Sequence, residues 1–518
     1  MPTAHRLVGR PRAFHWLVLG VLLVALHAVW SVTIPLMGAP DEPSHVVRAA
    51  AVARGQWSGD LGPAPTDGSR PGAGTIVQLP SDYAEALTLP NCFAFHSEQP
   101  ASCQQVLHPP TGATVPVETF AGQYPPLYYA LVGWPSLFLH AEASTYAMRL
   151  VSGLVSSVFL LWGVAGIRRA AAPAAATWAT LAALTPMTLF LGATVNPQAL
   201  EISSAFAFWS ACLALVRSPG RPVRATVVQA GVAGAVLLNS RSSGPVWAVV
   251  AVVVALVLAP PGRLKVLWRA AAVRWLLGVG LVSGVLAAAW VALHGGVVTE
   301  HGLYPQFASP VVATREVLGL SNQYLLQLVG NFGWLDAPSP PVSTEVYLVV
   351  AGALLLLGLA AASRQRGRLA LALAALAVVG VPFVLQVPTA GDTGIIWQGR
   401  YVLPVAVGVP LVAAAAVAEL PAPVLDLVAR LTRWVVPAVA VAQVGAYWWA
   451  ARRYAEGLSG QLITRSPHWS SPLGYMPGLA LYTVLVLLVG ALAWRSTWSR
   501  LAQEELTPSA ERAPAAVG

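Results

Sequence analysis

Apolar runs of about twenty residues recur along nearly the whole chain, and they confine it to one class of fold. A run of that length matches the hydrocarbon thickness of a bilayer. Inside lipid, a lone segment satisfies its own peptide groups only as a helix. Twelve such runs are legible: 14–37, 146–167, 174–194, 197–216, 225–240, 245–260, 273–294, 345–362, 369–387, 401–419, 434–450 and 476–494. The fifth and sixth are short and also read as a broken or re-entrant pair, so the expectation is about 11 to 13 spans. Only 10% of the 518 residues are charged, against about a quarter in soluble proteins. No shift in composition marks a soluble domain. The expected fold is an all-α integral membrane protein. Residues 1–494 form one polytopic unit, with 38–145 a long first outer loop carrying interfacial helices and 495–518 a disordered cytoplasmic tail.

The first run follows Arg6, Arg10 and Arg12. It is too long for the apolar core of a signal peptide, and "IPLMGAPDE" lacks an A-x-A cleavage site. It therefore reads as a retained helix. With the N-terminus inside, twenty of the 30 basic residues fall in inner segments and 16 of the 21 acids in outer ones. Basic residues flanking spans set orientation, so both termini are expected in the cytoplasm. The net charge of +9 then lies against the anionic inner leaflet, and no nucleic-acid partner is needed. Of three cysteines, Cys92 and Cys103 share the outer loop, where a disulfide is permitted but not fixed by spacing. Cys212, inside a span, reads as packing filler.

Three unusual stretches fall on the outer side. In "MGAPDEPSHVVRAA", 37–50, Asp41 is placed to cap a helix that runs to Arg54 and stops at Gly55. Asp41, His45 and Arg48 form one stripe on it, at i, i+4 and i+7. A capped interfacial helix with a solvated face and a site edge both fit that spacing. In "GQYPPLYYALVGWPSLFL", 122–139, the apolar part is too short to span, and Tyr124, Tyr128, Tyr129 and Trp134 suit a helix lying in the headgroup region. In "IIWQGRYVLP", 395–404, Arg400 and Tyr401 enter the tenth span. Arg400 is either a boundary residue snorkelling to headgroups or a phosphate ligand. Asn196 and Glu201 in "GATVNPQALEIS", and Arg241 in "LLNSRSSGP", sit at other outer turns. The stretch 320–340 reads as an amphipathic segment on the same surface. No Walker loop, dinucleotide fingerprint, metal-type His/Cys cluster or G-x-S-x-G elbow is present.

The order "PDEPSH", "YPPLYY", "QGRYVLP" after a first span resembles the bacterial membrane family called domain of unknown function 2142, over about residues 14 to 450. "VNPQALE" is similar to that family's "NPD" turn, with Gln198 where an acid is common. The family in turn resembles glycosyltransferases of the C-type fold, which take sugars from polyprenyl phosphates on the outer leaflet. That resemblance implies Asp41 as base and Glu42 as its neighbour. A divalent metal is left open, because the acid of that fold acts as base or as metal ligand depending on the branch. The chemistry also asks for cations where phosphate departs, a role for Arg400 with Arg48 or Arg241. His45, Tyr401, Tyr124 and Tyr128 complete the candidate substrate-binding set. Burial would raise the pKa of Asp41 and a nearby arginine would lower it. The expected partners are a polyprenyl-phosphate sugar, an envelope glycan acceptor and the bilayer. Alanine- and arginine-rich usage with one lysine fits a bacterial plasma membrane protein. The rival functions are a transporter or flippase for lipid-linked glycans, which would carry acids in mid-membrane, and a non-catalytic assembly factor.

Overall fold

A computed structural model describes residues 10–62, 74–294, 302–361 and 365–505. Among these, each expected apolar run forms helix. Label α1 Arg10–Thr33, α2 Glu42–Ala53, α3 Ala141–Ala170, α4 Pro173–Ala183, α5 Pro186–Gly192, α6 Gln198–Arg217, α7 Arg224–Ser240 and α8 Gly244–Leu258. Further on come α9 Ala271–His294, α10 Pro341–Ala361, α11 Gln365–Gln386, α12 Gly408–Val417, α13 Ala422–Glu456 and α14 Tyr475–Glu505. Among the described residues eight helices are long and apolar enough to cross a membrane by themselves, and α4 with α5 makes a ninth if the pair is one span. The count of twelve is thus not reached by that measure. The break also lies elsewhere than expected. The third run bends by 62° between α4 and α5, where Pro186 opens the second piece and denies it a continuous hydrogen-bond ladder. The fifth and sixth runs are separate helices α7 and α8. The last helix continues to Glu505; the rest of the expected tail, residues 506–518, lies outside the described residues.

Helix α6 is the axis of the bundle, buried along its whole length, whereas α9 is exposed on most of its surface. Lipid tails offer no hydrophobic drive between helices, so close approach of backbones matters. At Gly408 an added Cβ would collide with the Trp209 ring of α6. The two ends of the chain meet at one side of this axis. Trp30 of α1 donates to the Tyr482 hydroxyl of α14 at 3.0 Å, and Tyr482 donates to Gln443 of α13 at 3.1 Å.

The segment 38–145 is not only helical. It carries a three-stranded antiparallel sheet of β1 Asp60–Leu61, β2 Thr75–Pro80 and β3 Thr114–Thr119, with Thr75 opposite Thr119 and Pro80 opposite Thr114. Cys92 and Cys103 are disulfide-bonded; Cys212 is free and buried. Arg453 of α13 donates to the carbonyls of Phe93, His96 and Gln99 and pairs with Asp336, binding this segment to the far end of the chain. The Asp82 carboxylate accepts the backbone N–H of Ala141 at 2.7 Å and caps α3 from outside it. The expected interfacial helix at 122–139 is two short turns, Leu127–Val132 and Trp134–Leu137. Tyr128 and Tyr129 point into the protein, while Trp134 and Phe138 are exposed. The stretch 320–340 forms a helix, Ser321–Val329, followed by a small hairpin.

Candidate active site

Asp41 stands at the N-cap of α2, but its carboxylate makes no cap hydrogen bond and its backbone is left-handed, with φ of 66°. That conformation costs a non-glycine residue energy and is seldom kept without a use. The carboxylate instead turns to Arg400, 359 residues away, and the two form an ion pair. Nor is α2 an interfacial helix with a solvated face: Glu42 to Val52 are buried.

The segment "QGRY" explains itself in this setting. Arg400 donates its Nε to Gln398, one terminal nitrogen to Gln198 Oε1 at 2.7 Å and the other to Asp41. Gly399 lies against the backbone of Tyr324, where an added Cβ would collide with the carbonyl oxygen. Tyr401 lies beneath the guanidinium, 5.1 Å from its carbon to the ring centroid. The Arg400 side chain is fully buried, so it does not snorkel, while Asp41 is 30% exposed.

A second cation shares the place. Arg241 stacks 5.0 Å from the Tyr401 centroid and 5.7 Å from that of Tyr124. The two guanidiniums therefore lie within about 10 Å of one another. Glu201 balances Arg241 at 3.3 Å and also accepts from Ser243 and Trp247. His45 hydrogen-bonds Tyr129 at 2.9 Å through Nδ1. Burial pushes its pKa down to about 3, with Arg241 and Arg400 adding to the effect and Asp41 opposing it; it is neutral at pH 7. For Asp41, burial raises the pKa, but Arg400, His45 and Arg241 together outweigh burial and leave it below the ordinary value. Asp41 is ionised at neutral pH.

Other expected members are occupied elsewhere. Glu42 is clasped by Arg149 of α3 through two hydrogen bonds of 2.7 and 2.6 Å, with both side chains wholly buried, and it accepts the N–H of Val195 at 3.0 Å. Arg149 spends its remaining donors on the carbonyls of Ser31, Ile34 and Pro35. Glu42 thus fixes the turn that presents Asp41. Arg48 donates to the carbonyls of Gln56, Trp57 and Tyr124, not toward Asp41. Tyr128 accepts the Asn196 N–H at 2.8 Å and donates to Ser152. Two partners, Gln398 and Arg149, escaped the sequence reading, and Gln198 entered it only as a departure from the family's turn. Gln198 and Glu201 are i and i+3 on α6, a same-face pair in which one grips Arg400 and the other Arg241. That spacing was the available signal.

The described residues offer no all-protein cage for a divalent cation. Among the described residues no three His, Cys, Asp or Glu side chains group together. The one partly exposed carboxylate is faced by a guanidinium, and hard cations need several oxygen ligands.

Next to this polar cluster lies an apolar crevice of about 170 Å³, lined by Leu328, Val329, Tyr347, Val378, Leu403 and Val407 among others. Leu403 follows Arg400 by one helical turn, and Gln327, beside Leu328, accepts the Gly399 N–H.

Comparison with known proteins places these residues in a family. Two crystal structures of ArnT from Cupriavidus metallidurans are similar. The apo form matches with 17% identity over 95% of this chain and 79% of that one, at a TM-score of 0.40. The form bound to undecaprenyl phosphate matches with 20% identity over 88% and 78%, at 0.34. No curated protein matches. The family model described as predicted membrane protein (DUF2142) matches residues 23–409, which hold Asp41, Gln198, Arg241 and Arg400. The chain belongs to that family.

Proposed function

We propose that this protein is a membrane glycosyltransferase, moving a sugar from a polyprenyl-phosphate donor to a hydroxyl of an envelope glycan, lipid or protein. The end of the bundle bearing 38–145 faces outward from the bacterial plasma membrane, and both termini lie in the cytoplasm. The observation that carries this reading is the ion pair of a buried Arg400 with a partly exposed Asp41, beside a second guanidinium and an apolar crevice.

The reaction needs little more. The donor's phosphate is held near Arg400 and Arg241, and the start of its isoprenoid chain lies in the crevice. As phosphate takes over Arg400, Asp41 is released beside it. The carboxylate then accepts the proton of the acceptor hydroxyl, whose oxygen bonds to the anomeric carbon. The bond from that carbon to the phosphate oxygen breaks, and its electron pair leaves on phosphate, where the cations meet the growing charge. With one carboxylate freed and, among the described residues, no second one placed as nucleophile, displacement is direct and inverts the anomeric centre.

The test is purified full-length protein with a panel of polyprenyl-phosphate sugars and hydroxyl acceptors, scored for transfer and product anomer. An inverted product from at least one donor is expected. Failure of every donor, together with passage of lipid-linked glycans across vesicles bearing the protein, would make it a transporter.

A further inference from the structure

Gln198 holds a donor that the protein itself does not use. The side chain is 1% exposed and sits at the first turn of α6. Its Oε1 accepts from Arg400, which as a guanidinium can only donate, so the amide orientation is fixed by its partner. The Nε2 group at the other end is buried and has no hydrogen-bond partner among the described residues. Buried polar groups are nearly always paired, and an exception calls for an explanation such as a ligand. Gln198 is also held in place: its N–H donates to Asn196 Oδ1 at 3.0 Å, and Asn196 Nδ2 donates to the Pro40 carbonyl next to Asp41.

Of the three groups on Arg400, Gln398 and Gln198 are neutral, and Asp41 is the anionic one, partly exposed. An anion that displaced Asp41 from Arg400 would join a guanidinium already gripped by the residue that carries the unused N–H donor. We infer that Gln198 is a phosphate-binding residue, its free amide N–H taking a phosphate oxygen of the donor, so that protein groups alone neutralise the anion and no divalent cation takes part. This rests on the polyprenyl-phosphate reading above. The chemistry is that of a phosphate ester: several acceptor oxygens, full negative charge and no need for an acceptor from the protein.

The probe is farnesyl phosphate, titrated into full-length protein in detergent with EDTA or with Mg²⁺, with farnesol and inorganic phosphate as controls. The unmodified protein should bind it equally in both buffers and ignore farnesol. Gln198→Met, similar in shape but without the N–H, should bind roughly tenfold more weakly or worse, the effect of a lost hydrogen bond to a charged group. Gln198→Glu, isosteric and anionic, should lose on the order of a hundredfold, and it carries the comparison if the Met variant melts early. Either variant binding like the unmodified protein, or binding that vanishes in EDTA and returns with Mg²⁺, overturns the inference and leaves the transfer reading standing. No binding of farnesyl phosphate by the unmodified protein sinks both. Inorganic phosphate binding as tightly as farnesyl phosphate sinks the lipid donor while keeping the role of Gln198.

Discussion

Asp41→Asn should separate two properties that usually fall together. In the proposed mechanism the donor's phosphate competes with the Asp41 carboxylate for the Arg400 nitrogen that Asp41 holds in this structure. The amide keeps the shape of the side chain but removes the charge, and with it both the base and the competitor. Exposed ion pairs contribute about 0 to 1 kcal/mol, and breaking a fully buried one costs about 3 to 5 kcal/mol. This pair has one partner fully buried and one 30% exposed, and Gln198 and Gln398 remain on the guanidinium after the change. A coupling of about 1 to 2 kcal/mol follows, so the variant should bind farnesyl phosphate roughly 5- to 30-fold more tightly. Turnover should drop by roughly 10² to 10⁴, the contribution of a general base. Calorimetric titration of the donor and single-turnover transfer, run on one preparation, read both. The measurement belongs near pH 7. Because pairing holds the Asp41 pKa below its ordinary 3.8, the stabilisation from the pair is complete above that value and is lost only as pH falls further. A variant that binds donor less tightly, in proportion to its lost turnover, would refute the competition and make Asp41 part of the grip. Unchanged turnover would remove the base.

Two further outcomes concern the frame around the site. Arg149→Met should leave Glu42 as an uncompensated buried charge and lower stability by about 3 to 5 kcal/mol, visible as early melting and loss of folded protein in detergent; normal melting with lost transfer would instead bring Arg149 into the chemistry. A cysteine at Ala113, exposed in the first loop, should react from outside with an impermeant thiol reagent, and one at Arg366 only after permeabilisation. The opposite pattern would turn Asp41 to the cytoplasm.

The apolar helices, though not the number of spans, were legible because lipid leaves the chain few choices: length and apolarity suffice to call a helix. What those rules miss lies where polar groups choose partners. Asp41 has the composition and place of an N-cap, yet Arg400 wins its carboxylate, and nothing local in 37–50 announces a residue 359 positions on. The stripe of Asp41, His45 and Arg48 was real as spacing but not as a unit, since Arg48 faces peptide carbonyls of its own loop. Glu42 was read as a neighbour in the chemistry from the family resemblance, and nothing local to it announces the clasp by Arg149, 107 residues on. The sheet in 38–145 was missed because β1 has only two residues, too few for alternation to show, and β2 and β3 each carry a proline, which demotes a run as a strand signal.

The separations along the chain also set an order of events during synthesis. A ribosome adds about 5 to 20 residues per second. Arg149 therefore follows Glu42, 107 residues earlier, by roughly 5 to 20 s, whereas Arg400 follows Asp41, 359 residues earlier, by roughly 20 to 70 s. The Glu42–Arg149 clasp is available first and can seat α2 on the growing bundle while most of the later helices are still unmade. The partner of Asp41 enters only with the tenth run. A nascent chain stalled before residue 400 would carry Asp41 without the arginine that pairs with it, so this ion pair forms only when the segment carrying Arg400 is inserted.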